Sequence, residues 1–312
     1  MDARNIKNVA VIGAGLMGKA IAFVFSSQYH VSVYDIHAVD LIGGIREIVK
    51  ELVQYGTLSE DELEQRLSQI RLVSDMKHED IYGADLVIEA VFEDMDLKRK
   101  TFSQLEEICR NDCIFCTNTS VMSPSEISRD LKFRNRFAAT HFWNPGHLIP
   151  LVEVVMSDAT DPQIAQIIID VLKSVGKMPV LCKKDVPGFI GNRLQHALWR
   201  EAFYMVKEGI ADPKTIDDAC KYGPGLRWPV LGPMENSDLI GLDLTYSIHN
   251  YLFESLDDSH EPSLLISEML NRGENGMKTG KGWHDWTPDE IERVNNKLRG
   301  HLIEFTTNKK DR

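Results

Sequence analysis

The sequence predicts an α/β protein: a doubly wound, mainly parallel sheet wrapped by helices on both faces, followed by a C-terminal domain made of helices alone. Three observations predict it. Short apolar strands alternate with helical stretches over about 180 residues, the pattern of a parallel sheet covered on two sides. The first strand runs straight into a glycine-spaced turn that opens a helix. Beyond Lys184 the strand-like runs give way to helix-period patterns, so the domain boundary is expected there, with domains 1–184 and 185–312.

Taken in order, "KNVAVIGAGLMGKAIAFVFS" reads as a buried strand, a glycine turn and a helix, and "HVSVYDI" as the second strand. Residues 41–70 read as two helical pieces broken at Gly56, the second opening on a Ser cap with early acids in "SEDELEQRL". "DLVIEAVFED" is a strand, "DLKRKTFSQLEEIC" a helix, and "CIFCTNTS", "RFAATHFW" and "LVEVV" are strands. "PQIAQIIIDVLKSVG" is a helix leading to the strand "MPVLCK". In the second domain "GNRLQHALWREAFYMVKEGI", "PKTIDDACKYG", "LIGLDLTYSIHNYLFESL", "PSLLISEML" and "TPDEIERVNNKLRGHLIEF" read as helices. The last has Thr287 as cap, Pro288 in its first turn and Glu290 completing a capping box.

The turn is Gly13-x-Gly15-x-x-Gly18, with Leu16 and Met17 opening the helix and Asp35 at the end of the second strand. A dinucleotide needs this arrangement. Gly13 makes the tight turn, Gly15 lets backbone approach the pyrophosphate, and Gly18 lets helix and strand pack closely. The pyrophosphate is expected at the positive helix end, in a Rossmann-type domain. Asp35 would accept from the adenosine ribose hydroxyls and repel a 2′-phosphate, which predicts NAD rather than NADP.

"HFWNPGHLIPLVEVV" places His141 at a strand end and Glu153 on the following strand, within an otherwise apolar segment. A carboxylate among Leu151, Val152, Val154 and Val155 must find a donor or stay protonated, because burying it unpaired is costly. A histidine N–H is the available donor. Such a pair fixes the tautomer, leaves the other ring nitrogen as a base and stabilises the imidazolium.

Composition narrows the partners. Forty-seven acidic against 35 basic residues give a net charge of -12 with no basic cluster, which disfavours nucleic acid and anionic membranes. The longest apolar run, Val9 to Phe25, carries Lys19 and three glycines and lacks the features of a signal peptide, so a cytoplasmic protein is expected. Cys109, Cys113 and Cys116 have a CxxxCxxC spacing, yet period-2 alternation sends Cys113 and Cys116 to opposite faces of a strand. They are read as structural thiols, and no metal site is expected.

With these residues in view, the chain resembles the L-3-hydroxyacyl-CoA dehydrogenase family over nearly its whole length. "VIGAGLMG", "DLVIEAVFED", "TNTS", "HFWNP" with "LVEVV", "KDVPGFIGNR", "GPMENSDLIGLD" and "GMKTGKGW" stand in the family's order and spacing. The resemblance implies a helical domain that dimerises, and His141 as general base with Glu153 as its orienting partner. It implies Ser120 and Asn192 as hydrogen-bonding groups near the substrate oxygen, and NAD contacts from Glu93, Lys98, Asn144 and Lys278. The expected reaction moves hydride between C3 of a 3-hydroxyacyl substrate, such as 3-hydroxybutyryl-CoA, and NAD.

Two departures point to a different substrate within the same chemistry. Members acting on CoA thioesters carry a hydroxyl and a lysine after the second strand, where this chain has Ile48 and Tyr55, with Arg46 and Lys50 nearby. "GPGLRWPVLGP" replaces their histidine-proline-methionine stretch. Arg227 there resembles the arginine of gulonate and carnitine dehydrogenases, and suits a free carboxylate. Asn192, His196 and Trp199 share one helical face, which makes His196 a second substrate-side candidate. A non-enzymatic, crystallin-like NAD-binding protein is the alternative from another class. It would not require Ser120, His141, Glu153 and Asn192 together.

Overall fold

A computed structural model describes residues 5–307 and forms two compact units. The first runs through Asn192 and takes in the stretch from Leu298 on; the second spans Arg193–Lys297.

In the first unit the elements follow one another as β1 (Asn8–Ile12), α1 (Leu16–Phe25), β2 (His30–Tyr34), α2 (Leu41–Gln54), α3 (Glu60–Ser68), β3 (Ile70–Val73), α4 (Glu79–Tyr82) and β4 (Leu86–Glu89). Then come α5 (Met95–Ile108), β5 (Ile114–Thr117), α6 (Pro124–Ser128), β6 (Phe137–Phe142), β7 (Leu151–Met156), α7 (Pro162–Ser174) and β8 (Met178–Cys182). The strand order is β3-β2-β1-β4-β5-β6-β7-β8, with every neighbouring pair parallel except β6 and β7. This is the doubly wound sheet that the alternation predicts. Strand order reverses between β1 and β4, and ligands of such sheets lie in the crevice beyond the carboxyl ends at that point.

The core is two apolar layers, one per face of the sheet. Ile21, Ile45, Leu63 and Ile168, from α1, α2, α3 and α7, pack with Val9, Val11 and Ile88 on one face. Ile81, Phe102 and Ile127, from α4, α5 and α6, pack with Ala10, Ile12 and Val87 on the other. Cys116 joins the first layer and Cys113 the second, as alternation into β5 requires, and Cys109, at the end of α5, also joins the second. Burial pushes the Cys116 thiol up to about 12, so it behaves as an apolar side chain.

The second unit contains α8 (Gly191–Lys207, from Arg193), α9 (Pro213–Tyr222), α10 (Pro224–Arg227), α11 (Pro233–Ile240), α12 (Leu242–Leu252), α13 (Leu264–Asn271) and the start of α14 (Pro288–Thr307). The stretch "LIGLDLTYSIHNYLFESL" is two helices rather than one. Gly241, at φ 93, closes α11 by donating to the Ser237 carbonyl. The α14 start is as expected, with Thr287 N 2.9 Å from Glu290 Oε2 and Glu290 N 3.3 Å from Thr287 Oγ1.

The units divide eight residues later than the expected break after Lys184. Asp185 Oδ2 accepts from Ser125 N at 3.0 Å, and Phe189 is 1% exposed, so the 185–192 segment is tied into the first unit. The chain end departs too. Arg299 Nη1 donates to Glu51 Oε1 at 2.6 Å and Ile303 is buried, which assigns this part of α14 to the first unit.

Candidate active site

The glycine turn after β1 shows three different reasons for glycine. Gly13 has φ 105, and a Cβ there would fall 2.6 Å from the Ala90 carbonyl oxygen; at Gly18 it would fall 1.8 Å from that of Gly13. Both are required by the protein itself. Gly15 has nothing within 4 Å of its would-be Cβ, so no atom of the protein demands glycine there. That open cradle at the start of α1 fits a pyrophosphate. Leu16 is exposed, while Met17 packs behind the turn toward Gly146. Asp35 braces the turn, its Oδ2 accepting from Ala14 N at 2.7 Å and its Oδ1 from His37 N at 2.9 Å.

The loops after β4 and β5 contribute a charged group. Lys98, on α5, is fully buried, with Nζ 2.8 Å from Glu89 Oε1 and 3.2 Å from Glu93 Oε2. Glu93 Oε1 accepts from Ser120 N at 3.0 Å and from the Thr119 hydroxyl. Burial pushes the Glu93 carboxyl up, but Thr119, Lys98 and Ser120 outweigh it and hold the group below its ordinary value. Glu89, unforeseen from the sequence, is the enclosed member of this group.

β6 and β7 bring the expected acid–base pair together. His141 and Glu153 are directly opposed in the antiparallel ladder, and His141 Nδ1 lies 2.8 Å from Glu153 Oε2. An ionised carboxylate only accepts, so Nδ1 carries the proton and Nε2 is the basic nitrogen. Glu153 is 0% exposed and fully satisfied. Trp143 Nε1 donates to Oε2 at 3.1 Å, and Ile190 N and Gly191 N each donate to Oε1 at 2.8 Å. Burial pushes this carboxyl up, and the donors from His141, Gly191, Ile190 and Trp143 overcome it, leaving it at about 2.

Those two amides open α8, and the next residue, Asn192, donates from Nδ2 to the Ser120 carbonyl at 3.3 Å. Ser120, Asn192, Glu153 and His141 therefore form one linked set. Trp143, Ile190 and Gly191 were not anticipated from the sequence. Two signals mark the turn. Phe189 is a non-glycine residue at φ 52, and its ring stands 5.8 Å from His141.

Asn144 is exposed just past β6. His196, Arg227 and Lys278 lie in the second unit. Within it, His196 meets Trp199 edge-on at 4.9 Å, Phe203 stacks on Trp283 at 5.0 Å, and Arg227 ends α10. Arg200 donates to the Ser259 carbonyl at 3.4 Å.

The family model described as 3-hydroxyacyl-CoA dehydrogenase, NAD binding domain, matches residues 8–186, and that of the C-terminal domain matches 188–286. The chain belongs to the 3-hydroxyacyl-CoA dehydrogenase family. It is 37% identical over 288 residues to a 3-hydroxyadipyl-CoA dehydrogenase of Escherichia coli, covering 90% of this chain and 59% of that protein. It therefore spans less than two thirds of that relative. It is 31% identical over 295 residues to a 5-formyl-3-hydroxy-2-methylpyridine 4-carboxylate 5-dehydrogenase of Mesorhizobium japonicum, covering 93% and 94% of the two chains. A solved structure of a dehydrogenase of that substrate, described as an NAD+ dependent dismutase, superposes with TM-score 0.86 at 30% identity, covering 96% of this chain and 97% of that one. Membership of the 3-hydroxyacyl-CoA dehydrogenase family makes the chain an NAD-dependent oxidoreductase whose turn after β1 belongs to the NAD-binding domain. Among the described residues no helix is long and apolar enough to cross a membrane.

Proposed function

We propose that this oxidoreductase interconverts an L-3-hydroxyacyl substrate and its 3-keto form, with His141 as general base and Glu153 as its orienting partner. The observation that carries the reading is the buried 2.8 Å contact between His141 Nδ1 and Glu153 Oε2. NAD, when bound, supplies the hydride-accepting ring. His141 Nε2 takes the proton from the 3-hydroxyl, and the Glu153 carboxylate stabilises the resulting imidazolium. Ser120 and Asn192, linked to each other through the Ser120 carbonyl, are in this reading the hydrogen-bonding groups for the reacting oxygen. Gly13, Gly15, Leu16, Met17, Gly18, Asp35, Glu93, Asn144 and Lys278 are the cofactor contacts of this reading, and Lys98, 0% exposed, acts behind Glu93 rather than touching the dinucleotide.

A 3-hydroxyacyl-CoA, such as the four-carbon thioester, is the first substrate by family. A free hydroxy acid is a second reading, favoured by the helix that would meet CoA. Ile48 packs against the core, Arg46 pairs with Glu64 at 2.6 Å and Lys50 is paired with Glu47, so both cations are engaged. The relative that acts on a pyridine carboxylate supports it too. Arg227 is the proposed carboxylate partner.

Helices α9 to α13 bury none of their residues within the chain, and Val230, Met234 and Tyr251 are 74%, 75% and 90% exposed. Apolar surface of this extent favours a homodimer through the helical unit. Cys109, Cys113, Cys116 and Cys220 are in no disulfide, which suits the cytoplasm.

The test is a panel comparing acetoacetyl-CoA with free 3-hydroxy acids. His141→Ala should lower kcat by roughly 10² to 10⁴ with NAD affinity nearly intact. A variant that keeps most activity refutes the base assignment. Arg227→Ala should remove activity on a free acid alone if that acid is the substrate. Normal NAD binding without turnover on any substrate would favour a crystallin-like role instead.

A further inference from the structure

The charged group around Lys98 contains a carboxylate that none of the proposed cofactor contacts requires. Lys98 and Glu89 are both 0% exposed, whereas the Glu93 side chain is 37% exposed. The enclosed ammonium therefore has one fully buried partner and one that reaches the surface. Glu89 is itself held from three sides: by Lys98, by Thr117 Oγ1 at 2.6 Å on Oε2, and by Val91 N at 2.7 Å on Oε1. It ends β4, next to the strand-order reversal, and Ala90 beside it abuts Gly13.

We propose that Glu89 is a positioning residue of the cofactor site: it neutralises Lys98 inside the protein, so that the Glu93 carboxylate stays turned outward to accept from a hydroxyl of the dinucleotide. The proposal rests on the reading of Glu93 as a cofactor contact.

An ammonium removed from water needs a carboxylate close by, because an unpaired buried charge costs far more than a paired one. With Glu89 reduced to an amide, Glu93 is the remaining carboxylate at Lys98. The ammonium then draws it inward, at the expense of its bonds to Thr119 and Ser120 and of its outward face. The loss falls on binding made equally in ground and transition states, so it enters the dissociation constant and spares turnover.

Titration of NAD+ into the purified chain, followed by calorimetry, tests this directly. Glu89→Gln should raise the NAD+ Kd by about tenfold while kcat at saturating NAD+ stays within about twofold. Thr117→Val, which removes one brace from Glu89, should raise it by about threefold, and carries the test if Glu89→Gln does not fold. Removing the cation along with the anion, in Glu89→Gln with Lys98→Met, should bind NAD+ more tightly than Glu89→Gln alone, which a merely structural role would not produce. Unchanged NAD+ affinity in Glu89→Gln and Thr117→Val, or no recovery in the double variant, overturns the proposal. A Glu93→Gln variant that binds NAD+ as the parent does shows instead that the reading of Glu93 has failed, and the proposal with it.

Discussion

Glu153 Oε2 is shared by His141 Nδ1 at 2.8 Å and Trp143 Nε1 at 3.1 Å, while Oε1 takes the amides of Ile190 and Gly191. One carboxylate thus orients His141, the proposed base, and fixes the start of α8, which carries Asn192. Glu153→Gln keeps the shape but turns one end into a donor, and that end must face either the His141 and Trp143 donors or the two amides. Steady-state kinetics should show kcat lower by roughly 10² to 10⁴. A loss below about tenfold would mean that the carboxylate's charge is not used by the base.

Trp143 lies between that carboxylate and α8: a Cβ on Gly191 would fall 2.5 Å from the indole. Trp143→Phe keeps an aromatic side chain and removes the donor, so Glu153 should titrate above its present value of about 2. A carboxyl depressed in the fold gives stability that is present above its unfolded value of 4.5 and lost as pH falls through the folded one. The midpoint of acid unfolding should therefore move to higher pH in Trp143→Phe. Coincident acid transitions for variant and parent would exclude the indole from the balance.

The glycine turn separates folding from binding. Gly18→Ala sets a Cβ 1.8 Å from the Gly13 carbonyl and should lower the melting temperature markedly. Gly15→Ala meets no protein atom within 4 Å, at an extended φ of -66 and ψ of -171 that alanine accepts. Calorimetry should find its melting temperature nearly unchanged and its NAD+ affinity reduced by about tenfold or more. Tight NAD+ binding by Gly15→Ala would mean that the cradle is not where the pyrophosphate lies.

What was readable in the sequence follows from how local the determinants are. The turn, Asp35 and the β6–β7 pairing sit on short segments whose periodicity and spacing fix their geometry, so His141 could be set against Glu153 from a separation of twelve positions. Glu89 could not be separated from any other strand-end acid, because its role depends on Lys98 from α5 and Thr117 from β5. The amide donors of Ile190 and Gly191 depend on a positive φ at Phe189, which no residue-type preference forecasts. The α11–α12 break at Gly241 was missed because an apolar pattern continues across it.

His147 is half-buried in the turn after β6. Burial, together with the nearby positive charges of Lys177 and Arg299, pushes its imidazole down from 6.5 to about 4. Lys177 is fixed there, donating to the Gly146 and Ile149 carbonyls at 2.6 and 2.8 Å. Between these two pH values the unfolded chain binds a proton at this position and the folded chain does not, so acidification favours unfolding. The contribution vanishes above 6.5, because the imidazole is then neutral in both states. His147→Asn removes the titration and should lose less melting temperature than the parent when the pH is taken from 6.5 to about 4. Scanning calorimetry across that window decides it: parallel melting curves for the two proteins would show that His147 takes up its proton as readily in the fold as out of it.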